Sequence, residues 1–172
     1  TFKPTGQNPF VNTDAKHDFN VGYDLNHESA ALRAYVKQIM EYWLTEFKLD
    51  GFRFDLSKGF TQKNTLGNVG AWGAYDIDRV NNLKRIYNEV KSVNPNAYVI
   101  LEHFADNSEE KDLANYGCMF WGNMNHEATE ASMGYTSNFT NAYHQSRGWN
   151  NPKLLAYAES HDEERMLYKN LQ

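Results

Sequence analysis

The chain has 172 residues, a net charge of −5 and 15% aromatic residues. Its acidic balance and the lack of a Lys/Arg cluster argue against a nucleic-acid surface, since phosphate binding needs a concentrated basic patch. Because no apolar run reaches about 18 residues and no basic segment precedes an apolar start, we expect neither a membrane span nor a signal peptide in this sequence.

The first half of the chain predicts an irregular segment, a helix and a strand. The first 28 residues are rich in Pro, Gly, Asn and Asp with little periodicity, which is typical of a loop or small subdomain. From Ser29 to Phe47 apolar residues recur at helical spacing. The next run, Phe52–Asp55, alternates with a period of two. We therefore expect Arg53 and Asp55 to share a polar strand face, with the two phenylalanines packed on helices.

A second helix and a second strand follow a Gly- and Asn-rich loop. Apolar residues form a helical stripe from Val80 to Val93, and the continuous apolar run Ala97–Leu101 predicts a strand buried on both faces. Glu102 comes directly after that run. Ser108 is predicted to cap a short helix at about 109–115. The apolar surroundings of the only cysteine, Cys118, predict a buried structural thiol.

The last part of the chain predicts two more strands. One is expected at 119–121, helical or mixed structure at about 125–146, and a final strand at 154–158 that leads to His161 and Asp162. Four strands that alternate with helices predict an α/β fold with a parallel sheet and right-handed crossovers.

Three acidic residues follow apolar runs at predicted strand ends. Asp55, Glu102 and Asp162 lie in the strings DGFRFD, YVILEHF and YAESHD. Together and in this order, the strings resemble the motifs of the α-amylase-type glycoside hydrolases, known as family 13. The resemblance runs from about Gly22 to the C-terminus.

The resemblance implies a partial TIM (β/α)8 barrel containing about strands four to seven with their helices. A complete barrel needs about 250 residues, more than this chain has. Residues 1–28 would be the end of a loop or subdomain inserted after strand three, and residues 29–172 would be part of the catalytic barrel. We expect the isolated chain to be inactive, because an open sheet leaves unpaired edges and exposed apolar faces.

The resemblance also implies the reaction of a retaining α-glycoside hydrolase on α-1,4-glucans such as starch and maltooligosaccharides. Asp55 matches the nucleophile, Glu102 the acid/base and Asp162 a third carboxylate that holds sugar hydroxyls. Arg53 can keep Asp55 ionised, while the apolar strand before Glu102 would raise the pKa of that carboxyl group.

Further substrate contacts are implied for Arg53, Lys58, His103 and His161. Gly59 departs from the family pattern, which usually has His there, and this puts recognition on the leaving side in doubt. No cofactor is required, although Asp24 matches a short motif with which some members bind Ca²⁺ in the complete enzyme. Five aromatic residues at loops or strand ends are candidates for sugar stacking or, more often, core packing: Trp72, Tyr75, Phe104, Trp121 and Trp149.

Three alternatives stay open. An α-glucosidase or a glucan-branching transferase of the same clan would share the three carboxylates, and a non-catalytic homologue would only bind glycans or a protein partner. Metal-dependent hydrolysis would use His103, His161, Asp162 and Glu163, although these lack the spacing of a helical zinc site. Localisation is open, with secretion or the cell envelope favoured over the cytoplasm.

Overall fold

A computed structural model describes residues 4–20 and 22–171, so residues 1–3 and 21 of the predicted N-terminal segment and residue 172 of the predicted barrel segment lie outside the described residues. Within the described part, the helices are α1 (Ala30–Glu46), α2 (Val69–Gly73), α3 (Ile77–Val93), α4 (Asn107–Tyr116), α5 (Asn125–Ser132) and α6 (Met166–Lys169). The strands are β1 (Gly51–Phe54), β2 (Tyr98–Leu101), β3 (Met119–Asn123) and β4 (Leu154–Tyr157). Short 3-10 turns cover Ser57–Gly59 and Thr140–Ala142.

The four strands form one parallel sheet in the order β1, β2, β3, β4. Arg53 pairs with Ile100, and Phe120 pairs with both Leu101 and Leu154. This confirms the predicted parallel α/β architecture. Because all four strands run in the same direction, their carboxyl ends meet at one edge, which is where the predicted site residues follow them.

The core lies between the sheet and the helices α1, α3 and α4. Val80 and Leu83 of α3 pack against Val99, Leu101 and the other buried residues of the sheet. The two phenylalanines of β1 are partly buried against this cluster, as predicted. Within the part of the chain that the structure describes, no helix is long and apolar enough to cross a membrane.

The cysteine also belongs to the core. Cys118 is fully buried, which confirms the predicted structural thiol, and burial raises its pKa to about 12. A thiol held in the protonated form is a weak nucleophile.

The prediction that β2 is buried on both faces was wrong for one face. Val99 and Leu101 are buried against the helices, whereas Tyr98 on the opposite face is 56% exposed and Ile100 is half-buried. The second face also carries Arg53, which is the register partner of Ile100. No helix layer covers this face in the described structure, so the apolar run acquires the alternating burial of a sheet packed on one side.

Polar side chains define where the long helices begin. Ser29 caps α1, and the carboxylate of Asp76 accepts hydrogen bonds from the first turn of α3. The cap of α4 is Asp106, which accepts from the Ser108 N–H, so the prediction of Ser108 as the cap was wrong by two positions. An Asp at this position also places a negative charge at the helix N-terminus, where it interacts favourably with the helix dipole.

The segment before α1 is irregular, as predicted from its composition. Its only regular pairing among the described residues is an isolated antiparallel bridge between Val11 and Leu25. The Asn12 N–H donates to the Asp24 carbonyl and the Asn26 N–H donates to the Phe10 carbonyl, which closes this segment into a loop beside β1.

Candidate active site

The three predicted carboxylates all follow strands at the same edge of the sheet. Asp55 comes directly after β1 and Glu102 directly after β2, while Asp162 lies in the loop that leaves β4. Their placement results from the parallel topology, because strand ends that are distant in sequence meet at one edge.

Arg53 joins two of these carboxylates. Its Nη1 lies 2.6 Å from Asp55 Oδ1, and its Nη2 lies 3.0 Å from Glu102 Oε2. The alternation of β1 puts Arg53 and Asp55 on the same face, and the parallel neighbour β2 brings Glu102 within reach of the same guanidinium. One planar cation therefore fixes the relative orientation of both carboxyl groups.

Glu102 and Asp55 differ in their environments. The side chain of Glu102 is 12% exposed, whereas that of Asp55 is 76% exposed. Burial raises the pKa of Glu102, while the Leu56 N–H, at 2.8 Å from Oε2, and Arg53 oppose this shift. The nearby Asp55 carboxylate raises it further. Glu102 is therefore the group of the pair suited to hold a proton.

The turn after Asp55 is strained in a way that serves Glu102. Leu56 has a φ of 41°, in the left-handed region that non-glycine residues rarely adopt. This conformation aims its N–H at the Glu102 carboxylate. Phe104, in the corresponding turn after β2, also has a left-handed backbone conformation, with a φ of 52°. Such strain is concentrated at functional sites.

Asp162 lies beside His161, which contacts Trp121. Asp162 Oδ2 lies 3.4 Å from His161 Nε2, and the His161 ring packs edge-on to the Trp121 ring with centroids 6.3 Å apart. The opposite contact of Trp121 is the Arg53 guanidinium, whose central carbon lies 4.0 Å from the ring centroid. Trp121 thus links the Asp55–Glu102 pair to the loop that carries Asp162.

The substrate role implied for His103 is contradicted by the structure. The side chain is fully buried, with Nδ1 2.9 Å from Ser57 Oγ and Nε2 2.7 Å from Glu109 Oε1. The period of two explains this, because His103 continues the helix-facing series of Val99 and Leu101. Burial lowers its pKa, although Glu109 opposes the shift.

His103 is part of a buried ionic network that sequence reasoning missed. Arg79 and Glu109 are both buried, with Arg79 Nε 2.6 Å from Glu109 Oε1 and Nη2 2.9 Å from Oε2. The Asp76 N–H also donates to Glu109 at 2.7 Å, and Arg79 donates to the Lys58 carbonyl at 3.0 Å. The two residues lie on separate helices, and no local pattern connects them.

The network reaches the active-site edge through Ser57. Its N–H and its hydroxyl both donate to the backbone carbonyl of Glu102, at 2.8 and 3.0 Å. His103 contacts the same hydroxyl. Ser57 and His103 therefore connect the turn after β1 to the end of β2 by hydrogen bonds.

Lys58 makes intramolecular contacts in this structure. Its Nζ donates to the Phe104 carbonyl at 2.9 Å and lies 4.1 Å from the centre of the Trp72 ring. Its ammonium thus connects the two strand-end turns, and its implied contact with a sugar stays a prediction.

Asp24 has a histidine partner in this structure, and its implied metal role stays a prediction. Asp24 Oδ2 lies 2.9 Å from Nε2 of the buried His17. Among residues 4–20 and 22–171, no three His, Cys, Asp or Glu side chains form a group that could hold a metal ion. Ca²⁺ takes six to eight oxygen ligands, whereas Asp24 brings one carboxylate that is already paired with an imidazole.

Two of the four residues considered for metal-dependent hydrolysis have other partners. His103 is buried below the sheet edge, and the carboxylate of Glu163 accepts hydrogen bonds from Asn123, Tyr157 and Ser160. His103 and Glu163 therefore have other partners, whereas His161 and Asp162 stay close together and exposed.

Two of the five aromatic candidates are core residues. Trp72 and Trp149 are each 3% exposed, and Trp72 stacks on His17 with ring centroids 4.3 Å apart. Tyr75 and Phe104 remain exposed near the edge. Core packing, the more frequent role of aromatic residues at such positions, thus describes both tryptophans.

A cleft of about 640 Å³ opens beside Asp55. Arg53, Asp55 and Phe60 form one wall, and Tyr23 with neighbouring residues of the N-terminal segment forms the other. This volume lies in the range of small-molecule sites, about 300–1,000 Å³.

One solved structure, that of Amy13B, agrees with this fold. The structure of Amy13B from Eubacterium rectale is similar with a TM-score of 0.51 and 20% identity, over 67% of this chain and 22% of that one. PulA from Klebsiella oxytoca gives a TM-score of 0.45 and 17% identity, over 71% of this chain and 10% of that one. The chain thus spans less than a quarter of either protein. No curated protein matches it by sequence.

The family model described as "Alpha amylase, catalytic domain" matches residues 15–169, which include all three carboxylates and every strand of the sheet. The match covers most of the chain. The chain therefore belongs to the α-amylase family of glycoside hydrolases and comprises part of the catalytic domain.

Proposed function

We propose that this chain carries the catalytic carboxylates of a retaining α-glycoside hydrolase that acts on α-1,4-glucans such as starch and maltooligosaccharides. The observation that carries the proposal is the Arg53 guanidinium, which contacts both Asp55 and Glu102 at the carboxyl ends of adjacent parallel strands. A retaining mechanism needs two carboxyl groups about 5–5.5 Å apart, close enough for one side chain to touch both.

The two environments support different roles for the two carboxyl groups. Asp55 is exposed at the cleft and paired with a cation, so it suits the nucleophile that attacks the anomeric carbon. Glu102 is buried and its pKa is raised, so it suits the acid that protonates the leaving oxygen. After that proton is given, the Glu102 carboxylate becomes the base that activates water for the second displacement.

Asp162 and His161 complete the proposed site by binding sugar hydroxyls. Both side chains are exposed at the same edge as the pair. The α-glucosidase and branching activities of the clan use the same carboxylates, and analysis of the products from starch, maltotriose and isomaltose separates them. A non-catalytic glycan-binding protein would not need a glutamate with a raised pKa at position 102.

We further propose that hydrolysis requires a chain long enough to close the sheet. β1 and β4 are the outermost strands, and neither pairs with a further strand among the described residues. Leu155 of β4 is partly exposed. The full-length protein is therefore the form in which activity should be measured. An active preparation of the 172 residues alone would contradict this requirement.

The test is trapping of the covalent intermediate in the full-length protein. With a substrate whose leaving group needs no proton, Glu102→Gln should form the glycosyl-enzyme on Asp55 and then stall, because the base for the second step is missing. Asp55→Asn should form no adduct. Peptide mass spectrometry locates the sugar, and Asp50→Asn and Glu46→Gln, which change exposed carboxylates elsewhere, serve as matched controls.

Each outcome of the trapping experiment assigns or removes a role. A sugar on Glu102 would reverse the two roles, and a product of inverted configuration would exclude double displacement. Turnover unaffected by both substitutions would remove the proposed function altogether.

A further inference from the structure

The side chain of Asp162 contributes little to ordering the loop that carries it. Residues 158–165 form neither a helix nor a strand. The side chains of His161 and Asp162 are 67% and 56% exposed, and the 3.4 Å approach between them is too long for a strong hydrogen bond. The position of this carboxylate is therefore set by the backbone that carries it.

The next residue, Glu163, has the opposite character. Its Oε1 accepts from Asn123 Nδ2 at 2.6 Å and from the Tyr157 hydroxyl at 3.1 Å. Its Oε2 accepts from the Ser160 N–H at 2.9 Å and from the Ser160 hydroxyl. Four donors from the ends of β3 and β4 and from the loop thus converge on one carboxylate.

The same serine continues the network to Asp162. Ser160 Oγ, while it donates to Glu163, accepts from the Asp162 N–H at 3.2 Å. A hydrogen-bonded path therefore runs from the strand ends through Glu163 and Ser160 to the backbone of Asp162.

Glu163 is ionised and its acceptor sites are occupied. Burial alone would raise its pKa, but the hydrogen bonds from Ser160 and Tyr157 outweigh this effect and lower it. A carboxylate has about four lone-pair sites, and four donors already occupy them. Glu163 is thus poorly placed to transfer a proton or to accept from a sugar, and well placed to order the loop.

We propose that Glu163 is a positioning residue that holds the Asp162 carboxylate at the active-site edge through Ser160. The inference rests on the proposed function, in which Asp162 binds the sugar in the transition state. Without Glu163, four donors lose their acceptor and the loop gains alternative conformations. The orientation of Asp162 that binds the sugar is then only one of several that the loop adopts.

The first test measures the loop itself in the full-length protein. In Glu163→Ala, amide hydrogen exchange within residues 158–163 should rise at least about tenfold, since a lost network of charge-assisted bonds is worth more than about 1.4 kcal/mol. The control is Glu164→Gln, which changes the adjacent carboxylate, an exposed group 3.7 Å from Lys169 Nζ. Unchanged exchange in Glu163→Ala would overturn the inference whatever the activity of the protein.

The second test asks whether Glu163 acts through Asp162. We expect Glu163→Ala to lower kcat about 10²-fold with little change in KM, Glu163→Gln to lower it about tenfold, and Glu164→Gln to leave it unchanged. The double variant Glu163→Ala/Asp162→Asn should be no slower than Asp162→Asn alone. Losses that multiply in the double variant would indicate a separate role for Glu163 and overturn the inference.

The two proposals fail in different ways. Full activity of Asp55→Asn would remove the proposed function, whereas the exchange measurement does not depend on turnover. Full activity of Glu163→Ala together with a slow Asp162→Asn would overturn the positioning role and leave the proposed function intact.

Discussion

The guanidinium carbon of Arg53 lies 4.0 Å from the centre of the Trp121 ring, although the two residues belong to strands that are not neighbours in the sheet. Arg53 is on β1 and Trp121 is on β3, with β2 between them. The contact crosses β2 on the sheet face opposite to the buried residues Val99 and Leu101. The Arg53 guanidinium thus contacts the face of an aromatic ring and, through its terminal nitrogens, two carboxylates.

Removal of this aromatic face should weaken the site. A cation–π contact at a partly desolvated position is worth about 1–2 kcal/mol, so we expect Trp121→Leu to lower kcat/KM of the full-length protein about 5- to 30-fold, and Trp121→Phe less. Steady-state kinetics on a maltooligosaccharide measures this. The control Trp43→Leu removes an exposed ring of α1 and should have little effect. Equal losses in both tryptophan variants would contradict the argument.

Arg53 should tolerate no replacement by another cation. Lysine keeps the charge but has no planar fork, so Arg53→Lys cannot contact both Asp55 and Glu102 in the observed geometry. We expect kcat/KM to fall about 10²-fold or more. The control is Arg85→Lys, which changes a partly exposed guanidinium paired with Glu89 within α3 and should have little effect on kcat/KM. Near-normal turnover in Arg53→Lys would show that charge alone suffices.

The buried pair Arg79–Glu109 should be costly to break on one side. Glu109→Gln leaves the Arg79 guanidinium without its anion, and we expect the free energy of unfolding to fall by about 3–5 kcal/mol. Denaturant unfolding of the full-length protein measures it. Glu89→Gln breaks a pair within one helix whose side chains are still 25% and 20% exposed, so it should cost less, about 0.5–1 kcal/mol.

A double variant measures how strongly the contributions of Arg79 and Glu109 to stability depend on each other. Arg79→Met/Glu109→Met removes both charges, so it should cost less than the sum of the single substitutions. Strict additivity would mean that the two side chains contribute independently, contrary to their 2.6 Å contact.

Glu110 should make the stability of the fold depend on pH. Burial raises its pKa to about 7, and Arg147, at 2.8 Å, opposes the shift. A folded-state pKa above the unfolded value gives a contribution that is complete below about pH 4 and is lost as the pH rises through 7. Between pH 5 and 8 we therefore expect the wild type to lose about 2 kcal/mol relative to Glu110→Gln.

Denaturant unfolding at several pH values checks this expectation. The exposed residue Glu46 supplies the control variant Glu46→Gln, whose difference from the wild type should not vary with pH. A difference between the wild type and Glu110→Gln that is constant, or that grows in favour of the wild type as the pH rises, would contradict the assignment.

Local patterns were sufficient for the architecture and for the pair Arg53–Asp55. Helical and strand periodicity predicted the long helices and all four strands, because burial of one face requires it. A period of two places Arg53 and Asp55 on the same strand face whatever surrounds them. The parallel topology then brings Glu102 to the same edge.

Contacts between distant segments decided the rest. The apolar run before Glu102 is the same whether one or two faces are covered, so only the packing shows that Tyr98 is exposed. His103 pairs with Glu109 because α4 presents that carboxylate to the helix-facing side of β2, and nothing in the string around His103 indicates it. Asn123 and Tyr157 meet at Glu163 because β3 and β4 are neighbours in the sheet. A hydrogen bond depends on a distance in space, and across a folded chain that distance is set by topology and packing.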